Sequence, residues 1–146
     1  MKALSLWQPW AEMIFRTDDD GIALKPDETR SWPTRVRGRI AIHAAKKPLR
    51  SVLREFPQLK TSLMVCGIHD RDLAFGAIIG TVDLAHCLPT EAVKKDRADW
   101  QLCWGDYTPG RWAFELLNPI RFATPIPCVG RQGFFNVPDA WARGVK

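Results

Sequence analysis

Gly76-Ala77-Ile78-Ile79-Gly80-Thr81-Val82-Asp83-Leu84-Ala85-His86-Cys87-Leu88 decides the fold class. Its centre, Ala77 to Val82, is rich in β-branched residues and lacks helical periodicity, which predicts a strand. The two glycines within it point to a bend or a close approach of backbone. Downstream, Arg111 to Leu117 alternates, setting Trp112, Phe114 and Leu116 on one face and Arg111, Ala113 and Glu115 on the other. Trp112 reads as core, while Arg111 and Glu115 are expected to face a cleft. Upstream, Arg39-Ile40-Ala41-Ile42-His43 has the alternation of a half-buried strand, and Gly38 lets the chain turn into it.

Three shorter strands are expected at Ala3 to Trp7, Glu28 to Trp32 and Phe134 to Val137. Pro9 opens a helix whose Trp10, Met13 and Ile14 share a face, and Pro138 opens a terminal one. Lys46 to Phe56 reads as a basic helix, with Pro48 near its first turn and Pro57 just after its end. Thr17 to Gly21, Pro125 to Pro127 and Gly130 to Gly133 read as turns or loops. Many short strands with few helices give an α+β class: a small barrel carrying helices on its outside. At 146 residues, with no internal repeat, one domain over residues 1–146 is expected.

Composition narrows the function. No apolar run nears the roughly 20 residues that span a bilayer, and no signal-peptide pattern opens the chain, so a cytoplasmic protein without membrane partners is expected. Cys66, Cys87, Cys103 and Cys128 lack zinc-site spacing and read as buried reduced thiols, and no metal is expected. No motif for a nucleoside triphosphate, flavin or nicotinamide is present, so no cofactor is expected. The net charge of +5 is unevenly spread: Arg30 to Lys60 holds nine basic residues against Glu55 alone, a net +8. Within it, Arg30-Ser31-Trp32-Pro33-Thr34-Arg35 interleaves cations with an indole, a pattern that suits phosphates beside unpaired bases. A basic face of this kind also suits an acidic protein partner.

Five blocks carry a resemblance. Leu4-Ser5-Leu6-Trp7-Gln8-Pro9-Trp10-Ala11, Lys25-Pro26-Asp27-Glu28-Thr29-Arg30-Ser31-Trp32 and Arg37-Gly38-Arg39-Ile40-Ala41-Ile42-His43-Ala44-Ala45, followed by Gly80-Thr81-Val82-Asp83-Leu84 and Gly110-Arg111-Trp112, resemble in order the signature blocks of the ASCH-domain family. The resemblance implies a PUA-like β-barrel with flanking helices. It implies either nucleic-acid recognition, as in a transcription coactivator's domain, or hydrolysis, as in small bacterial amidohydrolases that deacylate N4-acylcytidines and in a relative described as a ribonuclease.

Two readings of the residues follow. As a binder, preferring RNA to DNA or taking a modified nucleoside, the chain would use Arg30, Arg35, Arg37, Arg39, Lys46 and Lys47 on phosphates. Trp32 or Trp7 would stack on a base, Gln8 and Glu28 would read a base edge, and Ser31 and Arg111 would border the cleft. Trp32 is the first choice for stacking. As an amidohydrolase, Lys25 matches the family's lysine, but Glu28 stands where a threonine is expected. Thr29, one residue on, points to the opposite face of a strand. Glu28 and Glu115 would then share the proton traffic with Lys25.

Overall fold

The computed structural model describes residues 1–144. In chain order the elements are β1 Lys2–Leu6, α1 Trp10–Met13, β2 Asp27–Arg30, β3 Gly38–Ala44, α2 Leu49–Glu55, α3 Leu59–Cys66, β4 Ala77–Pro89, α4 Thr90–Lys94, α5 Asp99–Leu102, β5 Trp112–Pro127 and β6 Phe134–Asn136. Short 3-10 turns at Asp70–Asp72 and Asp139–Arg143 complete the helical segments. The strands form one curled sheet, a half-barrel, in the order β2-β5-β4-β3-β1-β6. β1 runs parallel to β3, and the other pairings are antiparallel. No helix among the described residues is long and apolar enough to cross a membrane.

Strand alternation sorts the core. Leu4, Leu6, Ile40, Ile42, Ile79, Val82, Leu84, Phe114 and Leu116 point to one face, where Ala11 of α1 and Ile14 just after it are added. Ala3, Ala41 and Ile78 point to the other face and meet Phe122, Ile126 and Phe135. Beside the sheet, α2 and α3 bury Leu49, Val52, Leu59 and Leu63 around Met13 and Trp104.

Several expectations need correction. The run from Arg111 does not end at Leu117: β5 continues to Pro127 through Asn118, whose φ of 52° is left-handed. Beyond Glu115, β4 is the only strand among the described residues that pairs with β5, so the nitrogens of Pro125 and Pro127 stand where no ladder amide is required. Helix α3 passed unnoticed because its exposed Met64 and Val65 spoil the amphipathic pattern. The basic helix begins at Leu49, so Lys46 and Lys47 lie in the turn before it. Trp112 is only half-buried against the core, and the fully enclosed tryptophan is Trp104. Nor are the cysteines buried: Cys66, Cys87 and Cys128 are half-buried and Cys103 is exposed.

Asp27 anchors α4, α5 and the following turn to β2. It is fully buried, takes a two-pronged contact from Arg97 at 2.7 and 2.9 Å, and accepts the Tyr107 hydroxyl at 2.7 Å. Burial, reinforced by the Asp27 charge, pushes the Tyr107 phenol well above its usual range.

Gly80 marks the tightest passage in the sheet, where β4 shifts register against β5. A Cβ there would lie 2.6 Å from Phe15 Cε1 and would strike the Ile120 carbonyl, a backbone atom that cannot rotate away. Gly80→Ala is expected to destabilise the fold by about 1–3 kcal/mol, the cost of overpacking a core. A chemical-denaturation midpoint unchanged from wild type would contradict the packing described.

Candidate nucleic-acid interface

β2 carries its chemistry on alternating faces. Asp27 and Thr29 turn toward α5 and the following turn, whereas Glu28 and Arg30 turn toward β1. Glu28 is nine-tenths buried and lies between two cations: Lys25 Nζ at 3.2 Å and Arg30 Nη2 at 2.8 Å. Arg30 Nε donates to the same carboxylate at 2.9 Å, and Nη2 also donates to the Ser5 carbonyl of β1 at 3.0 Å. Lys25 is buried as well, donating to the Asp27 and Trp104 carbonyls at 2.9 and 2.7 Å. Its three acceptors match the three N–H groups of an ammonium. Arg30 keeps Nη1 without a protein partner among the described residues.

These residues floor a cleft of about 640 Å³. Trp7 and Trp10 form one wall, Phe56, Gln58 and Leu59 a second, and Trp104 to Asp106 with Arg111 a third. The third wall is tied down: Thr29 Oγ1 accepts the Asp106 amide at 2.9 Å, and Arg111 donates to the carbonyls of Asp106 and Thr29. Thr108 hydroxyl and amide donors hold the Asp106 carboxyl below its usual range, so it stays ionised beside Arg111.

A second cleft, of about 770 Å³, opens on the other side of Ser5, Trp7 and Arg30. Trp32, Lys46 and residues 128–133 line it, with His43 beneath. His43 is almost wholly buried, and the Cys128 carbonyl, 2.7 Å from Nε2, can only accept, so Nε2 carries the proton. Burial lowers the imidazole pKa more than that carbonyl raises it. In the neutral ring Nδ1 is therefore an acceptor, and the Ser5 hydroxyl, 2.8 Å away, donates to it.

The structure brings Trp7, Lys25, Glu28, Arg30 and Arg111 together in the first cleft, and Trp32 and Lys46 join Trp7 and Arg30 in the second. Lys47 sits with Nζ 3.5 Å from the Trp7 ring centroid and also pairs with Glu55. Other expected site residues lie elsewhere. Gln8 is fully buried and structural: its amide donates to the Ala74 carbonyl at 2.9 Å and accepts the Glu12 amide at 3.0 Å, so it is not free to read a base edge. Arg39 directs Nε to Thr81 and Nη1 to Asn118 and Asp83, with Nη2 buried and without a hydrogen-bond partner among the described residues, and Arg37 folds back onto the carbonyls of Thr34 and Val36. Ser31 and Arg35 are exposed outside both clefts.

Glu115 stands opposite Asp27 in the strand register and reaches Arg97 and His86, on the face away from Glu28. Trp32 is packed edge-on against Phe114 and Phe134, at 5.4 and 6.0 Å, whereas Trp7 is 40% exposed. Sequence reasoning missed Ser5, Trp10, Trp104 and Asp106. Only Ser5 and Trp10 fell within blocks already singled out.

A curled six-stranded half-barrel with a charged cleft beside β2 is the PUA-like α+β architecture. The chain matches the ASCH domain family over residues 4–126 and belongs to it. Activating signal cointegrator 1 of Homo sapiens is 28% identical over 145 residues, 98% of this chain, and that of Mus musculus 26% over 149 residues. The chain spans 23% of the length of each of these relatives. Among solved structures, the ASCH protein of Zymomonas mobilis superposes with a TM-score of 0.55 at 15% identity, covering 97% of this chain and 90% of that one. A tyrosine-to-phenylalanine mutant of that protein gives the same score and identity, covering 98% and 94%.

His43 supplies a pH signature. Its folded pKa lies below the usual 6.5, so below pH 6.5 the unfolded chain takes up a proton that the folded chain refuses. Stability is expected to fall as pH drops from 6.5 toward the lowered folded value. His43→Asn, which retains an acceptor toward Ser5, should show a shallower decline in unfolding free energy; parallel profiles would contradict the neutral buried imidazole.

Proposed function

We propose that this ASCH domain binds single-stranded nucleic acid, RNA in preference to DNA, by drawing an unpaired or modified base into the cleft beside Glu28 and Arg30. The observation that carries this reading is the state of Arg30: its fork is fixed by Glu28 and the Ser5 carbonyl, while Nη1 makes no bond to the protein among the described residues. A guanidinium held in this way offers a pre-oriented donor to a base carbonyl or a phosphate without losing further rotamer freedom. Trp7 supplies the stacking surface and Arg111 a second cation at the rim. Outside the cleft, exposed Arg35, Arg50 and Arg54 add attraction for the backbone that carries no base preference.

Binding is favoured over amidohydrolysis by the hydrogen bonds of Lys25. A lysine acting as a base must hold a bare lone pair, and this nitrogen faces two carbonyls and a carboxylate. Of the two carboxylates assigned to proton transfer, Glu115 is turned to the opposite face of the sheet, and Glu28 is engaged by both Lys25 and Arg30.

The test is affinity for a single-stranded RNA pool across a salt series, beside DNA and duplex RNA of the same sequences. The logarithm of affinity should fall linearly with the logarithm of salt concentration. Arg30→Lys keeps the charge but loses the fork and should weaken binding by about tenfold, the worth of one charge-assisted hydrogen bond. Arg50→Ala should reduce only the salt-dependent part. Wild-type affinity in Arg30→Lys, or no binding at low salt, would refute the proposal.

A further inference from the structure

We infer that the cleft beneath residues 128–133 is a second nucleotide site, continuous with the first, so that the ligand is a strand of at least two nucleotides lying across Trp7 and Arg30. The inference rests on reading the first cleft as a nucleobase site. Both clefts are walled by the same three residues, Ser5, Trp7 and Arg30. A ligand leaving one cleft over that ridge therefore enters the other.

The two clefts differ in charge in a way that separates their tasks. The first contains the carboxylates of Glu28 and Asp106 among its cations, a mixed lining that discriminates between base edges. The second has no carboxylate among its described lining residues: Arg30, Lys46 and Arg131 are its charged groups. A polyanionic backbone with its next base fits such a lining, whereas a second mixed-polarity base reader does not. The two volumes, about 640 and 770 Å³, are similar, so the second cleft is large enough for whatever base and sugar fill the first.

This second site is also built in advance. Gly130 lies so close to the floor that a Cβ would come within 2.5 Å of His43 Cε1 and 3.2 Å of Ser5 Oγ. The Cys128 carbonyl is pinned to His43 Nε2 at 2.7 Å. Both contacts hold the 128–133 segment against β1 and β3, and a wall that need not be ordered on binding costs the complex less entropy. Lys47 lies over one face of the Trp7 indole, and the residue is still 40% exposed.

The inference is tested by titrating ApA, CpC, GpG and UpU, and the four matching nucleoside 5′-monophosphates, into the protein by calorimetry at low salt. A dinucleoside monophosphate carries one phosphodiester charge, less than a 5′-monophosphate, so simple charge attraction ranks them in the opposite order. The tightest dinucleotide should bind about tenfold more strongly than its mononucleotide, the contribution of one further stacked base. Lys46→Ala/Arg131→Ala, both at exposed positions, should remove that gain and leave mononucleotide affinity intact. Equal affinities for the two ligand classes would overturn the second site while leaving the first-cleft reading in place, and a gain that survives the double variant would also overturn it. If no ligand of either class binds, the first-cleft reading fails and the second site falls with it.

Discussion

A buried carboxylate held between a buried ammonium and a half-buried guanidinium organises this molecule. Removing three charges from water is costly, and attraction alone seldom compensates unless the remaining donors and acceptors are also satisfied. Here nearly all are: Lys25 adds the Asp27 and Trp104 carbonyls to Glu28, and Arg30 adds the Ser5 carbonyl, which leaves its Nη1 as the one donor of the cluster without a partner among the described residues. Each extra bond reaches a different part of the chain. Arg30 ties the cluster to β1, on the far side of the sheet order from β2, and Lys25 ties it to the turn after α5. Those are the segments that must come together for the first cleft to exist.

Rigidity at this point has a functional consequence. Arg30 and Trp7 belong to both clefts, so the orientation that the Glu28 cluster imposes on Arg30 is shared by the two sites. The Ser5 and His43 pair completes the arrangement from below: burial keeps the imidazole neutral, the Cys128 carbonyl selects its tautomer, and the Ser5 hydroxyl is turned inward. Few parts of this ridge are free to rearrange when a ligand arrives. Recognition by such a surface depends on matching a fixed shape, with the surrounding cations adding attraction that salt can screen.

Much of the sheet was legible because alternation reports burial directly. Ile40 and Ile42 against Ala41, and the β-branched run from Ala77 to Val82, announced β3 and β4 without reference to anything distant. β5 was read short because its pattern breaks at Asn118, and the later prolines are acceptable because no strand among the described residues pairs with its outer edge there. The site was legible in part. Glu28 and Arg30 two apart on a strand placed them on one face. The partners that give that face its meaning, the Ser5 and Trp104 carbonyls, lie 25 and 79 residues from the side chains they bind. Gln8 was misjudged because polarity is visible in a sequence, while the Ala74 carbonyl that occupies its amide is not.

The account stands on ligand entering the cleft rather than coating the basic face, and nuclear magnetic resonance of the side chains separates these directly. With the indole and guanidinium signals assigned, single-stranded RNA is titrated in. The predicted result is saturable shifts at the Trp7 indole and the Arg30 and Arg111 guanidinium groups, with small changes at Arg50 and Arg54. Shifts confined to Arg35, Arg50 and Arg54, with Trp7 and Arg30 unmoved, would contradict the central claim.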